Sequence, residues 1–525
     1  MVASSVASSG ASPLDLFYRK SKPVIGIELD GQADGYVSSY TTLDKIQGVV
    51  TVTSEYDMRF DEINITFEGV SRMMIERTGT TAATASRSSA YHTFLRLYQP
   101  LDDSAYPQPR VAETGRTYRF PFTFVVPEQL LPQACSHPTM NPQVQRAHLQ
   151  PPPSLGDPML AGDGKTLLDD MSPDMTKISY VIRAKILKQN PIGDDMRSMA
   201  DAAKKVRIVP STEEQPPLDV SECNQDYCLR KEKDVRRGLF RGKLGRIVAE
   251  AAQPRAIQLP PPQSKSTCPG STMTRVNLRF DPVDEDQAPP RLGTLWSKLK
   301  VSTFFGSSAW KDFPTRSTSL GLCPSQGVYS EHVALSSRCV VSAQWQKHQS
   351  QSESDIARRD SLYSASSIES ATAPTASYAG KTFYTASLLV PITLPTGNKS
   401  FVPTFHSCLV SRIYNLDLCI SYRTPNTKIM VPTVSLKIPI QICSRGNTAD
   451  SDSEDGTSIT AAEVERQFFS PRNVALPSPE YTVSSTPGPA VRPADFPASP
   501  PEYCPLSRAV VDTENQPAQV SPCAG

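Results

Sequence analysis

The sequence predicts an all-β protein: two antiparallel β-sandwiches in tandem, then a tail without sheet pattern. Three observations predict it. Segment after segment alternates apolar and polar residues with period two, as a strand with one buried face does. These segments fall into two groups, separated by a basic stretch at Arg230–Arg246. Beyond Ser444 the alternation stops, and proline, serine and alanine take over.

In chain order, residues 1–20 read as a disordered leader and 21–229 as the first sandwich. Ile46, Val50 and Val52 share parity in DKIQGVVTVTSE, and Ile63, Ile65 and Phe67 alternate with Asn64, Thr66 and Glu68. Gly69 is expected to end that strand, and Thr78–Ser89 to form a mobile hairpin tip. In TYRFPFTFVVPEQLLP (Thr117–Pro132), Tyr118, Phe120, Phe122, Phe124 and Val126 make one aromatic face. So many rings on one side require a second sheet as cover. Pro121 lacks an amide donor and places this strand at an edge or bulge. The proline-rich Gln133–Asp174 reads as a loop or covering segment. Alternation returns at Ile178, Tyr180, Ile182, Ala184 and Ile186, and Asp194–Arg207 reads as a short helix.

The second sandwich, residues 230–443, is expected to open with the strand and turn of IVAEAAQPRAIQLPPP. It continues through Val276–Pro282, Pro289–Phe305 and Leu335–Trp345. A serine-rich insertion at about 346–377 is too poor in large apolar residues to pack. KTFYTASLLVPITLP resumes the pattern. The clearest strands close it: Tyr414, Leu416, Leu418, Ile420 and Tyr422 on one face, then Val434, Leu436, Ile438, Ile440 and Ile442. Pro439 marks an edge. Residues 444–525 read as a disordered Pro/Ser-rich tail.

Composition narrows the function classes. With 54 basic and 53 acidic residues the net charge is +1, so no global field draws nucleic acid. No apolar run approaches the roughly 20 residues of a membrane helix, and the start lacks a signal-peptide pattern. The 11 cysteines, odd in number and scattered, read as reduced thiols of a soluble intracellular protein.

No persuasive catalytic set appears. Gly164-Lys165-Thr166 and Gly380-Lys381-Thr382 lack the earlier glycine of a phosphate loop, with Met159 and Thr375 in its place. Cys223 and Cys228 form no ligand set, and Cys135, two residues before His137, has no second pair nearby in sequence. Zinc needs four ligands, so these read as unrelated thiols. The expectation is no enzyme, no cofactor and no metal.

The basic run comprises Arg230, Lys231, Lys233, Arg236, Arg237, Arg241, Lys243 and Arg246. Its plain reading is a solvated linker and edge strand. Its sharper reading is contact with anionic lipid headgroups or acidic cargo tails, at about 1 kcal/mol per basic residue near a charged membrane. In the insertion, Arg358 and Arg359 precede Ser361, a candidate phosphosite whose modification would add roughly −1.5 to −2 charge. In the tail, Pro500-Pro501-Glu502-Tyr503 is a P-P-x-Y sequence. Prolines restrict φ, so such a segment loses little entropy on docking into the aromatic groove of a WW domain. Pro477, Pro479 and Tyr481 form an imperfect second copy.

Thr117–Pro132, the upstream YHTFLRLYQPL (Tyr91–Leu101) and the downstream AHLQPPPSLGDP (Ala147–Pro158) resemble the N-terminal domain of fungal arrestin-like proteins, the α-arrestins. TFHSCLVSRIYNLDLCISY is similar to that family's C-terminal domain, so the resemblance spans roughly residues 20–443 less the insertion. It implies two immunoglobulin-like sandwiches of the arrestin fold. It also implies an adaptor that binds plasma-membrane transporters or receptors and recruits a HECT-type ubiquitin ligase with WW domains, leading to cargo ubiquitination and endocytosis. Such a protein is cytoplasmic, peripherally recruited to plasma membrane and endosomes, and the family places its ligase-binding signals after the domain pair. The arrestin polar core of buried charges cannot be placed on this sequence. One alternative is a trafficking or pH-signalling scaffold that binds endosomal machinery. Another is a ligand-binding β-sandwich module, but the exposed aromatic platforms and paired loop-tip carboxylates it would need are not seen.

Overall fold

Thr117–Val125 forms the strand its alternation predicts: Phe120, Phe122 and Phe124 are buried, while Arg119, Pro121 and Thr123 face out. The computed structural model describes residues 22–447, apart from 33–35, 78–85, 191–194, 222–223, 238–241, 264–269, 317–324, 350–372, 376–377, 379 and 425–430. The leader, residues 78–85 of the expected hairpin tip, Ser361 and nearly all of the tail lie outside the described residues, and Ser86–Ser89, read as part of that tip, are strand paired with Met74–Arg77.

The first half holds β1 (Val24–Leu29), β2 (Ser39–Tyr40), β3 (Lys45–Thr53), β4 (Met58–Arg59) and β5 (Glu62–Arg77). It continues with β6 (Ser86–Tyr98), β7 (Val111–Ala112), β8 (Thr117–Val125), helix α1 (Pro142–His148), β9 (Thr176–Gln189) and β10 (Met196–Ile208). The second half holds β11 (Arg230–Arg236), β12 (Lys243–Ala251), β13 (Ile257–Leu259), β14 (Ser271–Pro282), β15 (Arg291–Gly306) and β16 (Gln326–Cys339). It ends with β17 (Gln346–Gln349), β18 (Thr382–Thr393), β19 (Phe405–His406), β20 (Val410–Arg423), β21 (Thr433–Ile440) and β22 (Ile442–Ser444).

In the first half, sheet β1-β3-β8 and sheet β2-β10-β9-β5-β6 supply one apolar cluster. Phe67 lies 5.9 Å from Phe124 and 5.8 Å from Tyr180, ring centroid to ring centroid. The Tyr180 hydroxyl donates to the Pro152 carbonyl at 2.6 Å, so its polar end is satisfied inside the core. In the second half, sheet β11-β12-β14-β18-β17 and sheet β16-β15-β20-β19, with β21 on β20, supply another cluster. Among the described residues β8 pairs only with β3, so Pro121 sits on an edge strand as expected; β21 pairs with β20 on one side and on the other is joined by a single bridge from Lys437 to Cys228.

Several expectations need correction. Asp194–Arg207 is not a helix; β10 occupies it, hydrogen-bonded to β9 and β2. Gly69 does not end its strand. β5 runs on to Arg77 past a register shift at Gly69/Val70, and a Cβ on Gly69 would stand 2.4 Å from the Phe94 ring. A bulge with a missing side chain lets one strand pass under an aromatic ring. The second half opens with β11, ahead of the strand read from IVAEAAQP, and β16 starts at Gln326 and stops at Cys339. Gln346–Gln349 pairs with β18, so the start of the insertion is strand. Two short pairs, β2 with β10 and β13 with β22, are parallel.

The covering segment is built on specific contacts. Gly156 has φ +78°, and a Cβ there would lie 2.1 Å from the Thr176 carbonyl, so glycine alone fits. The next residue, Asp157, is buried and ion-paired with Lys177 at 2.8 Å and Lys205 at 2.7 Å. Burial pushes its carboxyl up, but the two lysines outweigh burial and hold it below its ordinary 3.8. A lowered folded-state value means stability that is present above about pH 4 and lost as pH falls through the folded value. Asp157→Asn should therefore lower the Tm at pH 7 and flatten its decline below about pH 4, as read from melting curves across pH.

Candidate functional site

The basic run folds as the β11–β12 hairpin, and its sequence interleaves cations with acids at strand spacing. Arg230 sits opposite Glu250 and Asp234 opposite Arg246, the cross-strand arrangement in which opposite charges stabilise a sheet. Arg230 reaches Glu232 at 2.9 Å and Glu250 at 3.2 Å. Asp234 takes Lys243 and Arg246, each at 2.9 Å, and those hydrogen bonds hold its carboxyl below the usual range. The Lys233 ammonium donates to the Thr433 carbonyl at 2.7 Å, and Arg237 donates to Gln287 at 3.1 Å. Lys231 and Arg236 are exposed, and Arg241 lies outside the described residues. What reads as a run of cations is, on the described residues, a mixed-charge face. Arg230 also donates to the Ala373 carbonyl at 2.9 Å, fixing the chain where it leaves the insertion.

A second site lies where the covering segment meets the second half. No ladder among the described residues pairs a strand of β1–β10 with one of β11–β22. Instead, loops cross. The Asp169 amide donates to the Asn398 carbonyl at 2.9 Å, and the Ser400 amide returns to the Asp169 carbonyl at 2.8 Å. The Lys399 ammonium bridges the Asp169 and Glu331 carboxylates. Burial raises the Asp169 carboxyl, yet the bonds from Lys399 and the Met171 amide leave it net lowered. Met171 has φ +56°, in the left-handed region, held by that turn, and its side chain enters the second half's apolar cluster. Arg412, 0% exposed, donates to Thr303 Oγ1 and the Asp170 carbonyl at 2.9 Å each, and to the Met171 carbonyl at 3.3 Å. The Asp170 carboxylate accepts from the Gly156 and Ser172 amides at 2.6 and 3.1 Å. Buried charges do gather at this seam, although the sequence offered no way to place them. Arg412 lies inside SRIYN with no acid beside it, and its partners are some 240 residues away in the chain.

A third cluster lies in the same seam. Cys135 ends a 3-10 turn (Pro132–Cys135), His137 follows it, and His148 is the last residue of α1. Asn141 caps α1 by accepting from the Val144 amide at 2.9 Å, which sets the helix so that Val144 and His148 are buried. Cys408 comes from the turn between β19 and β20. Cys135 Sγ stands 3.4 Å from His137 Nε2 and 3.6 Å from His148 Nδ1. The ligand atoms of Cys135, His137, His148 and Cys408 all lie within 4.8 Å of one another. Burial pushes the Cys408 thiol up to about 12 and His148 down to about 4, and raises Cys135 as well.

The remaining sequence expectations fall elsewhere. Gly164 is a positive-φ turn glycine, and Thr382 begins β18, so neither GKT stretch precedes a helix. Cys228 bridges to Lys437, while Cys223 lies outside the described residues. So do Pro477, Pro479, Tyr481, Pro500, Pro501 and Tyr503. No protein-family model matches the chain, and a search of curated proteins finds no sequence relative.

Proposed function

We propose that the chain is a non-enzymatic adaptor of the arrestin type. Two tandem immunoglobulin-like sandwiches hold a membrane-protein cargo, and Pro500, Pro501 and Tyr503 recruit a HECT-type ubiquitin ligase through its WW domains, for cargo ubiquitination and endocytosis. The observation that carries this reading is the arrangement of the β-sheets. Two sheet pairs, each with a large apolar cluster, meet through a seam of buried polar contacts and shared apolar side chains, and a P-P-x-Y sequence follows them. No helix among the described residues is long and apolar enough to cross a membrane, so such an adaptor meets its cargo peripherally, at the plasma membrane or endosomes. Ser361, following two arginines, would then be the point at which a kinase adjusts the adaptor.

The test is binding of the full chain to a tandem WW module, measured by calorimetry. Removing a tyrosine anchor from its pocket costs about 2 kcal/mol or more, roughly 30-fold in Kd. Tyr503→Ala should show that loss, and Tyr481→Ala about threefold or less. Wild-type affinity in the Tyr503 variant, with cargo ubiquitination intact in cells, would overturn the proposal.

A further inference from the structure

Outside the proposed adaptor role, the densest set of soft and borderline donors in the described chain is the cluster of two cysteines and two histidines at the seam. We propose that Cys135, His137, His148 and Cys408 bind one Zn2+ ion that staples the covering segment of the first half to the β19–β20 turn of the second.

The donor set is S2N2, the composition of closed structural zinc sites, and it suits a tetrahedral ion better than the oxygen-seeking Ca2+ or Mg2+. Metal–ligand bonds of about 2.0–2.3 Å in a tetrahedron put neighbouring ligand atoms roughly 3.3–3.8 Å apart. The Cys135–His137 and Cys135–His148 separations of 3.4 and 3.6 Å are already edges of such a tetrahedron. The longest separation, 4.8 Å, closes with side-chain movements of about 1 Å.

The surroundings aim the donors inward. His137 Nδ1 lies 3.3 Å from the Pro138 carbonyl, which can only accept, so this contact fixes the proton on Nδ1 and leaves the Nε2 lone pair facing Cys135. A carbonyl on the far nitrogen is the usual way a ligating imidazole is oriented. The Cys408 carbonyl accepts the Trp310 amide at 2.9 Å, and Leu409 accepts the Trp310 indole N–H at 3.3 Å, so the turn carrying the fourth ligand is fixed. Cys135, His148 and Cys408 are buried and His137 is half-buried, which leaves one side for ion entry. The buried Cys408 thiol meets the Ala134 carbonyl at 3.6 Å, at the outer limit for a sulfur donor, and the Cys135 thiol of the same cluster.

The experiment is metal analysis of the full chain expressed in zinc-supplemented cells, together with Co2+ titration of chelated protein. The expected result is about one zinc per chain, and tetrahedral thiolate–Co2+ absorption that saturates at one equivalent and is bleached by zinc. Cys408→Ser and His148→Asn should each bring bound zinc below roughly a tenth of an equivalent, whereas Cys339→Ser, at an exposed thiol away from the cluster, should leave it unchanged. Chelation should lower the wild-type Tm by roughly 5 °C or more. If the substituted chains do not fold, the Co2+ spectrum and the chelator response of the wild type decide. A wild-type chain that carries less than about a tenth of an equivalent and takes up neither ion would overturn the site. So would a Cys135–Cys408 disulfide in the native protein.

Discussion

Arg412→Met should destabilise the protein by about 3–5 kcal/mol, the range for removing one member of a buried charged network. Methionine fills much of the same space, so the loss is electrostatic rather than a cavity. The guanidinium is 0% exposed and is the donor to the Asp170 and Met171 carbonyls. Each buried carbonyl left without a donor costs about 1–3 kcal/mol. Asp169, whose carboxyl Arg412 also helps hold low, loses a nearby cation. Denaturant unfolding followed by tryptophan fluorescence suits the test, because Trp310 is buried beside the β19–β20 turn and hydrogen-bonds its backbone. A variant with the wild-type midpoint would mean that the seam is held by its apolar contacts alone.

Phe67→Ala should cost a similar amount, about 3–5 kcal/mol, for a different reason. The ring is 0% exposed and touches Phe124 in the facing sheet and Tyr180 on the neighbouring strand. Truncation leaves a cavity between two sheets that the backbone ladders keep apart, so the site collapses poorly. Tyr98→Ala, on the same sheet but 59% exposed, should stay within about 0.5 kcal/mol. Urea midpoints of the two variants, compared at equal slope, make the measurement. Equal effects would mean that the aromatic face is not the core of the first half.

The strands were legible wherever one face is buried and the register is unbroken. Phe120 to Phe124 and Ile178 to Ile186 alternate in burial as they alternate in sequence, whereas in Tyr414 to Tyr422 the apolar face is buried but Asn415 and Ser421 on the other face are buried too. β10 was illegible for two reasons. Met199, Ala200, Ala202 and Ala203 carry helical propensity, and the register shift between Ser198 and Ala200 breaks the period. The long ladder with β9 overrides the propensity. Gly69 misled in the same way, since a glycine in a bulge looks like a strand end. The seam was illegible because its contacts join distant segments. Cys135 and His137 were visible as a pair, but Cys408 enters the same cluster from more than 270 residues further along. The basic hairpin was legible as charge but not as pairing, since opposing strands, not sequence neighbours, decide which acid meets which base.

The apolar cluster of the first half includes Val402, Phe405, Leu409 and Val410, all from the second half. On a ribosome this imposes a delay. Once Ile208 completes β10, roughly 200 residues must still be made before those four side chains exist, about 10–40 s at about 5–20 residues per second. Throughout that interval the newborn first half presents an apolar patch that only its own later chain can cover. Chaperone demand during synthesis should therefore rest on the first half, and a ribosome stalled before Val402 should release an aggregation-prone fragment rather than a finished domain.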